Sequence, residues 1–247
     1  ISDNEPIGLE ARDAIVKSPE GKILAGPLNF TLPAGKRVVL VGQSGSGKSS
    51  LLNALTGFLP YDGSLLVNGV ELRDLDVSRW HRLLSWVGQN PQLPAATLRE
   101  NVLLSWPEAS EAQLQLALDK AWVSEFISQL PQGINTPVGD QAGRLSVGQA
   151  QRIAVARALL VPCRLLLLDE PAASLDAHSE QRVMQALKAA SKRQTTLMVT
   201  HQLEDLADWD TIWVMQDGQI IEQGDYATLA RAGGVFSALL AHRQEEI

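Results

Sequence analysis

The feature that most constrains the fold of this chain is a glycine-rich loop that directly follows a short apolar run. Val38–Val41 is entirely apolar, as expected of a buried parallel strand. The next eight residues, Gly42–Ser49 (GQSGSGKS), match the pattern G-x-x-x-x-G-K-[ST] at every position. Three leucines then share one face of a helix that we expect over residues 49–56. A glycine-rich turn with a surface lysine would explain the loop alone, but the flanking strand and helix favour a phosphate-binding loop.

The chemistry of this loop assigns a role to each part of it. Glycines let successive backbone N–H groups point at one anion, and the N-terminus of the following helix adds its dipole. Lys48 can reach the β- and γ-phosphates of a nucleotide, and the Ser49 hydroxyl can ligate Mg²⁺. The predicted contacts are Gly42, Gln43, Ser44, Gly45, Ser46, Gly47, Lys48, Ser49 and Ser50.

A second apolar run ends in two acids. Leu165–Leu168 is followed by Asp169 and Glu170, which places both carboxylates at the carboxyl end of a strand, where open α/β sheets bind ligands. Asp169 suits a Mg²⁺ shell, and Glu170, facing differently by strand alternation, suits a general base that holds the attacking water. A strand end followed by a polar turn at Pro171 is the alternative, and the phosphate loop makes it the weaker one.

Composition narrows the class of protein. The 247 residues carry 28 acidic and 21 basic side chains, giving a net charge of −7, which argues against a nucleic-acid partner. The lone cysteine, Cys163, cannot form an internal disulfide. No apolar run approaches the roughly 20 residues that span a bilayer, and the first residues do not resemble a signal peptide. We therefore expect a soluble, cytoplasmic domain.

Strand-like and helix-like segments alternate along the chain, which favours a parallel α/β sheet. Residues 62–90 are expected to form short strands and turns, with Asn68-Gly69 as a hairpin signal. Residues 97–160 are mostly helical, with a capping box predicted at Ser110 and Gln113, and are expected to form an insertion. One final helix is expected from about Tyr226 to His242. Trp86 and Trp213 are expected in the strand core.

A third motif lies between the loop and the acids. Leu145–Gln149 (LSVGQ), followed by Ala-Gln-Arg, resembles the signature motif, usually LSGGQ, of ABC-transporter ATPases. Ser146 and Gln149 alone would form an ordinary capping box. In the family, Ser146, Val147, Gly148 and Gln149 would face the γ-phosphate of a nucleotide held by a partner domain, so that two ATP molecules lie between two domains.

Further residues resemble the remaining motifs of that family. Gln89 resembles the Q-loop glutamine, which would touch Mg²⁺ and water and link to a transmembrane domain. Ser174–Asp176 resembles the D-loop, in which Asp176 crosses to the partner's site, and His201 resembles the switch histidine at the γ-phosphate. The stretch Thr136–Asp140 is similar to that of exporters.

The resemblance implies a fold and an assembly. The fold is α/β, a P-loop NTPase (RecA-like) with a parallel sheet core, an N-terminal antiparallel β subdomain and an inserted α-helical subdomain. It implies ATP and Mg²⁺ as ligands, a second ABC ATPase domain as partner, a transmembrane domain in the same polypeptide, and a place on the cytoplasmic face of the bacterial inner membrane. The expected ranges are a linker over 1–8, an ATPase domain over 9–247 with its core at 9–96 and 161–225, a helical subdomain over 97–160, and a C-terminal helix over 226–243.

Two positions depart from the family pattern. Ser18 stands where an aromatic residue usually stacks on adenine, and Val147 replaces a signature glycine. These departures predict two unequal ATP sites and hence a heterodimer. Three alternatives to an exporter ATPase stay open at this point: a regulatory subunit of low turnover, a soluble ABC ATPase that acts on DNA or ribosomes, and a small P-loop kinase. The kinase leaves the signature helix and the D-loop unexplained.

Overall fold

The computed structural model describes residues 1–2, 4–139 and 145–245. The chain forms two compact units, the first comprising Ile1–Leu84, Arg164–Asp169 and Gln194–Ile247, and the second Ser85–Cys163 and Glu170–Arg193. Asp169 and Glu170 are thus consecutive in sequence but belong to different units.

The strands are β1 (Leu9–Lys17), β2 (Ile23–Leu32), β3 (Arg37–Val41), β4 (Tyr61–Val67), β5 (Val70–Glu71), β6 (Leu84–Val87), β7 (Ala96–Thr97), β8 (Pro137–Val138), β9 (Leu165–Asp169), β10 (Thr195–Val199), β11 (Thr211–Gln216) and β12 (Gln219–Gly224). The α-helices are α1 (Lys48–Leu55), α2 (Val77–Leu83), α3 (Leu98–Leu103), α4 (Glu111–Lys120), α5 (Ser124–Ile127), α6 (Val147–Leu160), α7 (Ala177–Ser191), α8 (Tyr226–Arg231) and α9 (Val235–Glu245).

An antiparallel sheet occupies the N-terminal part of the first unit. Its strand order is β2-β1-β4-β5. The predicted hairpin at Asn68-Gly69 is confirmed: Val67 pairs with Val70 across the turn, and both turn residues have positive φ, 48° and 80°. Positive φ at both positions is the geometry that Asn-Gly adopts most readily in a two-residue hairpin.

A parallel sheet forms the centre of the first unit, with β11, β3, β10 and β9 as successive neighbours. β12 pairs antiparallel with β11 at the edge. Val38–Val41, Leu165–Leu168 and all of β10 are buried, because strands covered on both faces need apolar side chains throughout. The predicted α/β fold with a parallel core and an antiparallel β portion is confirmed.

The second unit is mainly helical. Helices α3 and α4 both pack against α6, whose residues from Gln151 to Ala156 are all buried. The capping box predicted at Ser110 and Gln113 is present at the start of α4.

Three local expectations were wrong. Residues 77–83 form helix α2, which begins at the cap Asp76, where only strands and turns were expected. Trp86 is 40% exposed, although Trp213 is buried as predicted. The single C-terminal helix is two helices, α8 and α9, separated at the pair Gly233-Gly234, of which Gly233 has φ 69°.

Within the described ranges, no helix combines the length and the apolar character that crossing a bilayer requires.

Candidate functional site

The glycine-rich loop joins β3 to α1 in the first unit. Gly47 is the N-cap residue of α1, with φ 101°, and makes no side-chain cap hydrogen bond. A glycine at this position offers no side-chain acceptor to the first turn, and a helix N-terminus of this kind is suited to binding phosphate. At Gly42 a Cβ atom would lie 2.3 Å from the Met215 carbonyl oxygen, so the close approach of two backbones requires glycine there.

Two side chains of the loop are buried polar groups. The Lys48 Nζ atom donates to the carbonyl oxygens of Gly42 and Gln43, at 2.5 and 2.9 Å. The Ser46 hydroxyl is buried and has no hydrogen-bond partner among the described residues. Lys48 thus donates to two neutral carbonyl acceptors at the base of the loop, and an anionic phosphate would be a stronger acceptor for the same ammonium group.

The parallel strands bring the glycine-rich loop, Asp169 and His201 to one edge of the sheet. Val199 of β10 is in register with Leu40 of β3 on one side and with Asp169 of β9 on the other. The glycine-rich loop begins two residues after Leu40, and His201 lies two residues after Val199. The loop, Asp169 and His201 therefore leave neighbouring strands at the same level, the carboxyl edge at which parallel sheets bind ligands.

Glu170 has an unusual backbone. The strand ends at Asp169, so strand alternation does not orient Glu170, contrary to our expectation. Glu170 has φ 48°, is 9% exposed, and its carbonyl oxygen accepts from the Ala173 N–H at 3.2 Å. A non-glycine residue in the left-handed region carries strain, and such strain clusters at functional sites.

The signature segment begins α6 in the second unit. Ser146 caps the helix and forms a reciprocal capping box with Gln149. A Cβ atom at Gly148 would lie 3.1 Å from the Ser174 carbonyl oxygen, so Gly148 allows close contact with the predicted D-loop. Val147 is 60% exposed, so its side chain faces mainly solvent and is not part of the core.

The other predicted residues of the second unit lie in irregular segments or caps. Gln89 is exposed in the segment after β6. The Asp176 carboxylate caps α7 by accepting from the Ser179 N–H and hydroxyl at 3.0 and 2.8 Å. Both hydrogen bonds lower the pKa of the Asp176 carboxyl, and the bond from the Ser179 N–H has the larger effect. Asp140 of the exporter-like stretch lies outside the described residues.

Ser18 lies in the turn between β1 and β2. Its hydroxyl accepts from the Lys22 N–H at 3.1 Å, and its own N–H donates to the Lys22 carbonyl oxygen at 2.8 Å. The side chain that replaces the expected aromatic ring is therefore used to close a tight turn.

One residue that the sequence analysis did not single out is Gln151 of α6. Its side chain is fully buried and donates to the Pro171 carbonyl oxygen at 2.7 Å. The signal that could have identified Gln151 is an amide side chain on the face of a helix that is expected to be buried.

No cluster of three or more His, Cys, Asp or Glu side chains suited to a metal is present in the described part of the chain.

Comparison with known protein families identifies the class of protein to which this chain belongs. The family model for the ABC transporter matches residues 25–173, more than half of the chain. The chain belongs to the ABC transporter family.

Two individual relatives show which members of the family this chain resembles. The chain is 76% identical over its whole length to the glutathione/L-cysteine transport system ATP-binding/permease protein CydD of Escherichia coli. It is 57% identical over 99% of its length to the transport ATP-binding protein AarD of Providencia stuartii. It spans 42% of each of these relatives.

A solved structure, a bacterial Atm1-family ABC exporter with ATP bound, superposes with a TM-score of 0.88 at 31% identity. The match covers 98% of this chain and 42% of that one. The ATPase fold of exporters is therefore the fold of this chain.

Proposed function

We propose that this chain is the ATP-binding and ATP-hydrolysing domain of a heterodimeric ABC exporter. The observation that carries the proposal is the convergence of the glycine-rich loop, Asp169 and His201 on one strand edge of the first unit. The export of cysteine or glutathione rests on the relatives named CydD.

The proposed assembly extends beyond this chain. The relatives are ATP-binding/permease proteins of which the chain spans 42%, so we infer a transmembrane domain in the same polypeptide, with residues 1–8 as its linker. A different subunit, CydC-like, supplies the second ATPase domain. The domain then lies on the cytoplasmic face of the bacterial inner membrane.

Nucleotide binding follows from the loop. Backbone N–H groups of residues 42–47 and the first turn of α1 surround the phosphates. Lys48 exchanges its carbonyl acceptors for the β- and γ-phosphates, because a charged acceptor forms the stronger hydrogen bond.

The donor set for the metal consists of oxygen atoms, as Mg²⁺ requires. Ser49 and Asp169 belong to the same unit, in which α1 packs against β9, and the Gln89 amide oxygen is the third proposed donor. When bound, Mg²⁺ offsets the negative charge of the phosphates.

Hydrolysis needs a held water molecule and hydrogen-bond donors near the γ-phosphate. Glu170 orients the water and accepts its proton, while Lys48 and His201 stabilise the charge that develops on the phosphate oxygens. Ser146, Val147, Gly148, Gln149 and Asp176 serve the nucleotide bound by the partner domain.

The test is Glu170→Gln in the full-length exporter, purified with its partner. The variant keeps the size of the side chain but removes the proton acceptor, so ATP binding should persist while turnover falls by about 100-fold or more. Glu108→Gln, an exposed glutamate, is the matched control. Turnover equal to wild type in Glu170→Gln would exclude the catalytic assignment.

One alternative has specific support. The absence of an aromatic ring at Ser18 favours a regulatory subunit of low turnover, because the site on this domain's own loop then lacks the stacking contact for the base. Lys48→Met separates the two functions, because a catalytic subunit loses its share of the exporter's ATPase activity, whereas a regulatory subunit leaves that activity intact.

A further inference from the structure

Gln151 of the signature helix joins two segments that carry proposed catalytic residues. Its Nε2 atom donates to the Pro171 carbonyl oxygen at 2.7 Å and lies 3.4 Å from the Gly88 carbonyl oxygen. Pro171 directly follows Glu170, and Gly88 directly precedes Gln89. All of these residues belong to the second unit.

The orientation of the amide is fixed by its partners. Both neighbours are carbonyl oxygens, which accept and cannot donate, so the NH₂ group must face them. The Oε1 atom on the other side is buried and has no hydrogen-bond partner among the described residues. A fully buried amide with one unpaired acceptor is unfavourable for stability alone, which makes a purely structural role a poor explanation for glutamine at this position.

A second contact comes from the same face of α6. Gly148 lies three residues before Gln151, about one helical turn, and approaches the Ser174 carbonyl oxygen so closely that a Cβ atom would be 3.1 Å from it. The helix therefore meets the segment after Glu170 at two points, through the hydrogen bond to Pro171 and the close backbone approach to Ser174.

This support bears on the strained backbone of Glu170. A φ of 48° at a glutamate persists only where the surrounding structure determines it. The Ala173 N–H holds the Glu170 carbonyl oxygen from within the turn, and Gln151 holds the next peptide from the helix. We therefore expect that loss of the Gln151 bond would let the turn relax and displace the Glu170 carboxylate.

We propose that Gln151 is a positioning residue, which fixes the Glu170 turn and couples it to the Q-loop segment at Gly88. This inference rests on the proposed function, since it assigns Gln151 to the placement of the attacking water. Gln151 does not contact the nucleotide in this account, so its loss should change turnover and leave nucleotide affinity nearly unchanged.

The experiment uses the full-length exporter with its partner subunit. Gln151→Met keeps the length of the side chain and removes the amide, and Gln151→Asn keeps the amide but is too short to reach both carbonyls. Gln185→Met, at an exposed glutamine of α7, is the matched control. We expect kcat to fall about tenfold in Gln151→Met, with KM for ATP changed less than about twofold and with the unfolding temperature close to that of wild type.

If Gln151→Met does not fold, the same kinetic comparison is made with Gln151→Asn. Wild-type kcat in the folded variant would overturn the proposal. So would a loss of activity that disappears once rates are normalised to the folded, nucleotide-binding fraction, because that loss is structural.

Coupling to the Q-loop has its own test. The effects of Gln89→Ala and Gln151→Met on kcat should be smaller in combination than their product, since both act on one connected network. Fully multiplicative effects would contradict the link to Gly88. The Glu170→Gln variant, measured in parallel, distinguishes failure of the proposed function from failure of the role of Gln151. Retained turnover in Glu170→Gln refutes the proposed function itself. Lost turnover in Glu170→Gln together with wild-type kcat in Gln151→Met refutes only the role of Gln151.

Discussion

At the scale of single residues, the motif predicted which residues form the loop, and the structure shows why some of them must be what they are. Gly42 is required because its Cα approaches the carbonyl of Met215, a residue distant in sequence. The left-handed backbone of Glu170 and the exposure of Trp86 were not predictable either, because both depend on what packs next to the strand end and not on the local pattern.

Ser18 gives a prediction at this scale. We expect Ser18→Tyr to raise the affinity of the full-length exporter for ATP by about tenfold, because stacking of a base on an aromatic ring contributes roughly 1–3 kcal/mol. Equilibrium titration with a fluorescent ATP analogue measures the change.

The control for this prediction is Ser18→Ala, which removes the bond to the Lys22 N–H without adding a ring and should not tighten binding. Equal affinities in Ser18→Tyr and wild type would show that the base does not lie near this turn.

At the scale of elements, periodicity predicted most strands and the longer helices. It failed where long-range contacts determine where an element begins or ends. The sequence pattern predicts one C-terminal helix because apolar residues recur at helical spacing in both α8 and α9. The break is fixed by Glu222 of β12, whose two carboxylate oxygens accept from the N–H groups of Val235 and Phe236 at 2.8 and 2.9 Å. A strand residue thus caps α9, which no local pattern could indicate.

Removal of that cap should loosen α9. We expect Glu222→Ala to lower the free energy of unfolding by about 1–2 kcal/mol, the usual contribution of a helix cap. Chemical denaturation of the full-length protein, followed by hydrogen exchange at α9, measures both the loss and its location.

Gln219→Ala, at an exposed position of the same strand, is the control and should change stability by less than about 0.5 kcal/mol. Unchanged exchange at α9 in Glu222→Ala would show that other contacts, such as the buried ring of Phe236, hold the helix.

At the scale of the whole molecule, alternation of strands and helices was enough to predict a parallel core, because parallel strands need crossover connections. The same reasoning placed the loop and Asp169 at one edge. It could not predict that the chain changes unit between Asp169 and Glu170, because a division into units depends on contacts across the fold. The proposed metal ligand and the proposed base are thus joined by a single peptide bond but belong to separately packed parts.

The most direct measurement of the central claim is ATP-dependent transport. Inverted membrane vesicles that contain the full-length protein and its partner are supplied with labelled glutathione or cysteine, with and without ATP. The account predicts ATP-dependent accumulation with the wild-type protein and with Glu108→Gln, and none with Glu170→Gln. Equal accumulation with Glu170→Gln, or accumulation that does not depend on ATP, would contradict it.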